Sequence, residues 1–203
     1  MGSSPPKRDH PSEIRMSLLS KKAVVLLLAT VAGFGAINAQ AAKAKEKAVT
    51  EKVSMLDGKF SFVLPKGFVG DPLPAGPTGA KGTMYSNDAT KTVVIVAENQ
   101  IPEGNNVKDN DSAFLDGTVS DFIDAQRKAL PDFNKLSEKS LTQKGNGLGL
   151  RQVDSTATQG GGQTLNTTLL AGSGTRMALV QVISRASDKR GHEALVKTIL
   201  KEK

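Results

Sequence analysis

Two histidines occur in the 203 residues, and His192 is the one that lies beyond the amino-terminal stretch. A general base needs a carboxylate or hydroxyl within hydrogen-bond reach. Asp154-Ser155 supplies both types side by side, so a hydrolase using Asp154, Ser155 and His192 is one expectation. A lone His, however, lacks the companion spacing of a metal or catalytic site. His192 stands three residues before Leu195 on an apolar helical stripe, which favours a packed or capping role. Asp109 and Asp111 have the spacing of a Ca²⁺ loop but no following Gly or distal Glu, so N-capping of a helix is the better reading. Gly145-Asn146-Gly147-Leu148-Gly149 and Gly160-Gly161-Gly162 look like phosphate cradles, yet neither leads into a helix or a Lys-Ser/Thr pair. Both read as hairpin turns. No catalytic, cofactor-binding or metal-ligating set is expected, and the absence of Cys excludes disulfides, thiolate metal sites and a Cys nucleophile.

These residues need strands and helices to hold them. Val53 to Leu56 and Lys59 to Pro65 flank Asp57-Gly58, a dipeptide suited to a type I′ hairpin, with Phe60, Phe62 and Leu64 alternating inward. Pro65 to Pro77 holds four Pro and three Gly and is predicted as a surface loop. Lys81 to Ser86 and Lys91 to Glu98 form a second hairpin around Asn87-Asp88-Ala89-Thr90, and Val93 to Val96 is apolar on both faces, as a covered central strand requires. A helix follows from Asp111-Ser112 to about Leu130, its stripe being Leu115, Val119, Phe122, Ile123 and Gln126, and Pro131 ends it. Phe114 falls off that stripe and is expected at the edge of the core. Lys135 to Gln143, Gly147 to Thr156, Thr164 to Leu170 and Met177 to Ser184 then read as an antiparallel meander. Ser187-Asp188 caps a closing helix with Leu195, Val196, Ile199 and Leu200 inward. The fold class is therefore α+β, an antiparallel β-sheet packed with helices on its faces.

Ahead of this domain lies an export pattern. Lys21 and Lys22 precede the 15-residue apolar run Ala23 to Ile37, followed by Asn38-Ala39-Gln40-Ala41-Ala42. Ala39 and Ala41 supply the small side chains that signal peptidase requires, placing cleavage before Ala42. The run is shorter than the roughly 20 residues of a membrane span, so the expected product is periplasmic, with an inner-membrane anchor as the alternative if the segment is retained. The expected organisation is a leader or tag-like segment at 1–15, a signal peptide at 16–41, a flexible lead-in at 42–52 and one domain at 53–203.

The formal charge of +7 falls to +4 from Ala42 onward, where 22 Lys and Arg face 18 Asp and Glu, and much of that surplus sits in Lys43, Lys45 and Lys47. With 4% aromatic residues, no Trp and only Tyr85, the stacking platforms of a nucleic-acid binder are missing, and none is expected as a partner.

Leu56-Asp57-Gly58-Lys59-Phe60-Ser61-Phe62-Val63-Leu64-Pro65, with Asn87-Asp88-Ala89-Thr90 and Val93-Val94-Ile95-Val96 after it, resembles the opening of the DcrB family of bacterial envelope proteins. Lys144-Gly145 through Gln152-Val153-Asp154-Ser155, Gln163-Thr164 and the final strand and helix resemble that family's closing half, so the likeness covers about Val53 to Leu200. The resemblance implies a Mog/PsbP-like α/β/α sandwich, a class mostly of accessory and binding proteins. It also implies a non-enzymatic role at the envelope, shielding or assisting membrane or envelope proteins, or in phage DNA entry. Its best-known members are lipoproteins; without any Cys this chain has no such lipid anchor. Three expectations stand: a module gripping an unidentified envelope or membrane protein, the Asp154/Ser155/His192 hydrolase, and a small-ligand binder between sheet and helix.

Overall fold

A computed structural model describes residues 50–74, 80–101 and 105–201. The leader, the signal segment at 16–41 with Ala39, Ala41 and Ala42, and most of the lead-in lie outside the described residues.

The chain runs β1 (Glu51–Met55), β2 (Phe60–Leu64), β3 (Val69–Pro72), β4 (Lys81–Asn87), β5 (Thr92–Gln100), α1 (Ser112–Ala129), β6 (Asn134–Thr142), β7 (Gly149–Gln159), β8 (Gly162–Ser173), β9 (Arg176–Arg185) and α2 (Lys189–Leu200). β1 opens at Glu51, two residues ahead of the expected domain start at Val53. β3 to β9 form one antiparallel sheet ordered β3-β4-β5-β9-β8-β7-β6, while β1 and β2 pair only with each other. β6 to β9 are the expected meander, and α1 carries the chain from β5 across the sheet to its far edge at β6. The expected α+β fold, an antiparallel sheet with helices on its faces, is the observed one.

Each face follows from strand alternation. On one, Val119, Phe122 and Ile123 of α1 pack on Val153, Leu170, Met177 and Leu179, with Phe114 at the cluster's margin. On the other, Leu195, Val196 and Ile199 of α2 share a core with Phe60, Phe62 and Leu64 of the hairpin and with Val94, Val96, Val180 and Val182 of the sheet. That outer layer is thus half helix and half hairpin. β9 contributes to both cores, and β5 to the α2-side core and, through Val93 and Ile95, to a small third cluster with Ile183, Leu73 and Met84, which is why both strands read as apolar on two sides.

Asp111 caps α1, accepting from the Phe114 N–H at 3.0 Å, and Asp188 caps α2 through Gly191 N–H at 3.1 Å. The Gly160-Gly161 pair turns at φ +58 and +82 between the register partners Gln159 and Gly162, a two-residue hairpin.

Two expectations are corrected. The β1–β2 connection is a four-residue loop closing Met55 against Phe60, not a two-residue type I′ turn. Leu56 and Asp57 both take left-handed φ, 51 and 55, which is unfavourable for residues with a Cβ. Tertiary contacts hold them there: the Leu56 N–H donates to Glu98 Oε2 at 2.8 Å, and Arg176 Nη1 bridges Asp57 at 2.8 Å and Glu98 at 3.1 Å. The second correction falls within the predicted loop at 65–77, where Val69 to Pro72 forms edge strand β3. An edge tolerates Pro72, whose missing N–H faces no neighbour, and Gly70 opposite Tyr85 leaves room for the ring, which an added Cβ would meet at 2.8 Å.

Candidate functional site

α2 has 12 residues against the 18 of α1 and does not cover its whole face. Between α2 and strands β6 to β8 lies an open cleft of about 440 Å³. Leu136, Leu141, Leu165, Val196 and Leu200 make its walls, and Gln152, Asp154, Thr167 and His192 lie at its floor.

The floor is a connected polar network. Asp154 accepts from Ser137 Oγ at 2.7 Å, from Gln152 Nε2 at 2.9 and 3.0 Å, and from Thr167 Oγ1 at 2.7 Å, with Lys139 Nζ at 3.9 Å. Burial opposes ionisation of Asp154, but the hydrogen bonds from these three side chains and the lysine together hold its carboxyl below the ordinary carboxylate range. Thr167 has one hydroxyl proton, and Asp154 takes it. The 2.9 Å contact between Thr167 Oγ1 and His192 Nε2 must then run the other way, from an Nε2–H. In neutral imidazole Nδ1 is left as acceptor, for the Ser184 hydroxyl at 3.1 Å. Burial, the dominant effect, lowers the His192 pKa from its ordinary 6.5 against the opposing pull of Asp154, Glu193 and Asp188. His192 is therefore neutral, 7% exposed and packed, as expected.

The hydrolase arrangement does not assemble. Adjacent strand residues face opposite sides, so Asp154 looks toward α2 while Ser155 looks toward α1. Ser155 is 2% exposed and its hydroxyl has no hydrogen-bond partner. His192 bonds neither of them but reaches Asp154 only through Thr167. Thr167, Ser184 and Gln152 were not singled out by the sequence; the available signal was their polarity at inward positions of buried strands.

Leu136 escaped notice as well. Leu136 and Leu141 are five positions apart and on strict alternation belong to opposite faces. A β-bulge between Lys135 and Ser137 shifts the register, and both leucines line the cleft. Leu136 is 56% exposed.

The remaining candidates are structural. Asp111 is the α1 cap, and Asp109 binds Lys59 Nζ at 2.7 Å and Ser173 Oγ at 2.6 Å, tying the hairpin loop to the end of β8. Gly145 and Gly147 turn β6 into β7 at φ +100 and +72. Among the described residues no helix is long and apolar enough to cross a membrane.

No family model matches the chain, and none of the curated proteins matches it. Among solved structures it is similar to the cyanobacterial PsbP protein CyanoP from Synechocystis sp. PCC 6803, at 9% identity and a TM-score of 0.55 over 78% of this chain and 95% of that one. LpqN of Mycobacterium tuberculosis, described as involved in cell envelope biogenesis, gives 12% identity and a TM-score of 0.45 over 77% and 90%. PA94 of Pseudomonas aeruginosa, a protein of unknown function and putative regulator by its description, gives 14% and 0.43 over 73% and 91%. The likeness to CyanoP, spanning nearly all of that protein, establishes that the described domain has a PsbP-like fold.

Proposed function

We propose that this chain is a non-enzymatic accessory protein of the bacterial envelope, DcrB-like in lineage, exported through cleavage between Ala41 and Ala42 and acting in the periplasm by holding a segment of another envelope protein in the cleft beside β6. One observation carries the reading: apolar walls stand open beside a sheet edge, over a floor whose polar groups are satisfied by one another. A catalytic floor would present an unengaged base or nucleophile to the cleft. Here His192 has both ring nitrogens engaged, and the Ser155 hydroxyl is buried, turned by strand alternation to the face opposite Asp154. The export pattern and the PsbP-like fold support the same reading.

Site-specific photocrosslinking tests it. With the photoreactive residue at Leu136 or Leu200, a discrete adduct with one envelope protein is expected; from Ser120, exposed on α1, none is. Equal labelling from Ser120, or a smear over abundant envelope proteins, would refute the assignment of the cleft. Intact mass of the exported protein checks the Ala41/Ala42 cut independently.

A further inference from the structure

The two edges of the seven-stranded sheet are unlike. β3 is four residues long and carries Gly70 and Pro72, features that blunt an edge against further pairing. β6 has nine residues, none of them Gly or Pro; past its bulge at Leu136 it pairs in regular register from Ser137 to Thr142, and among the described residues it is hydrogen-bonded to β7 alone. Seven of the nine are exposed. Such an edge leaves a row of backbone N–H and C=O groups available, about 30 Å long at ~3.3 Å per residue.

A groove follows this edge on the α2 side. The cleft around Leu136 and a second hollow near the β6–β7 turn share Leu141 and Leu200, so together they run along β6 from its bulge to Asn146. The floor's hydrogen bonds are already used, which leaves backbone pairing along β6 and apolar contact with the walls as the means of recognition.

Charge then selects the occupant. Lys59, Lys139, Lys144, Lys189, Lys197 and Lys201 line the two hollows, with Glu193 the only lining acid among the described residues besides the engaged Asp154. Lys189 pairs with Glu193 at 3.8 Å, whereas Lys144, Lys197 and Lys201 have no ion-pair partner among the described residues.

Building on the reading of the cleft as a protein-binding site, we infer that β6 is a strand-addition site for an extended acidic peptide segment, whose groove-facing side chains are apolar beside Leu136, Leu141 and Leu200 and acidic where they meet the lysine rim. A segment of about seven to nine residues matches the edge.

The test uses the chain purified from the periplasm and three fluorescein-labelled octapeptides: Thr-Glu-Thr-Val-Thr-Val-Thr-Glu, which puts Glu and Val on one face of a strand, the same peptide with Lys for both Glu, and the acidic peptide with alternate backbone amides N-methylated. Anisotropy titrations should show the acidic peptide binding at least about tenfold tighter than the basic one, weakening as salt is raised. N-methylation on the edge-facing amides should cost about tenfold or more, as should Leu136→Asp or Lys197→Glu. Amide NMR shifts should centre on residues 134–142. Equal affinity for all three peptides, shifts centred on α1, or no binding at about 1 mM would overturn the inference. Adducts from Leu136 and Leu200 with all peptides failing would sink strand addition while keeping the cleft as a partner site. Selective peptide binding without an adduct would do the reverse.

Discussion

The two faces of the sheet solve the same burial problem differently. Under α1 the packing is closed, with Phe122, Val153 and Leu170 at zero exposure, and two hydroxyls trapped there, Ser155 Oγ and Thr168 Oγ1, go unpaired. Under α2 the polar groups at the floor are mutually bonded, and the face stays partly open. A helix long enough to seal a face tolerates an orphaned hydroxyl at some cost in stability; a face left open for binding cannot leave a carboxylate and an imidazole unpaired at its floor without destabilising it. The closed face holds the molecule together, and the open one is where a partner has room to bind.

The largest effect should come from attacking the closed face. Phe122→Ala should destabilise by about 3–5 kcal/mol in denaturant melts, because it removes a ring with no exposure from a core that cannot collapse around the gap. Leu136→Ala on the open face should stay within about 0.5 kcal/mol of the parent, and comparable losses from the two would erase the distinction.

Thr167 and Thr168, neighbours on β8, test the faces at one step in sequence. Thr167→Val breaks the link from Asp154 to His192 and should cost about 1–3 kcal/mol. Thr168→Val removes an unpaired hydroxyl and should be neutral or stabilising. The reverse order of melting midpoints would contradict the assigned network.

Acid should act first on the open face. The folded-state pKa of His192 lies below 6.5, so the unfolded chain takes up that proton more readily. Its contribution is therefore fully present above about pH 6.5 and is lost as pH falls through the window below it. Asp154, also depressed, adds a second loss as pH falls below the ordinary 3.8 through its folded-state value. In thermal melts from pH 7 downward, His192→Gln should flatten the first of these declines and leave the second. An unchanged first decline would mean that another group drives it.

A local shift belongs to the start of α1, which the sequence had identified. Asp111→Ala removes the bond to Phe114 N–H and should cost about 1 kcal/mol in a urea melt without affecting cleft binding.

Much of this fold was legible beforehand because local rules decide it. The α1 stripe, the caps Asp111 and Asp188 and the two-sided strands β5 and β9 follow from periodicities that repeat within a few residues. The failures have equally local causes. Pro and Gly at 65–77 argued for a loop, and only a place at the sheet edge, opposite Tyr85, makes Val69 to Pro72 a strand. Asp57-Gly58 argued for a two-residue turn, but Glu98 and Arg176 hold Leu56 and Asp57 in left-handed backbone across separations of 42 and 119 residues.

By itself the sequence determined which faces are apolar, where helices start and stop, the export pattern before Ala42, and that its 203 residues hold no Cys for thiol chemistry. Only the tertiary structure decided that β5 lies beside β9, that His192 bonds Thr167 and Ser184 instead of Asp154 and Ser155, and that a bulge brings Leu136 alongside Leu141. Alternation tells a residue which side of a sheet it faces. It does not say which strand lies next to it, and partners 25 residues apart, such as Thr167 and His192, meet only once that order is set.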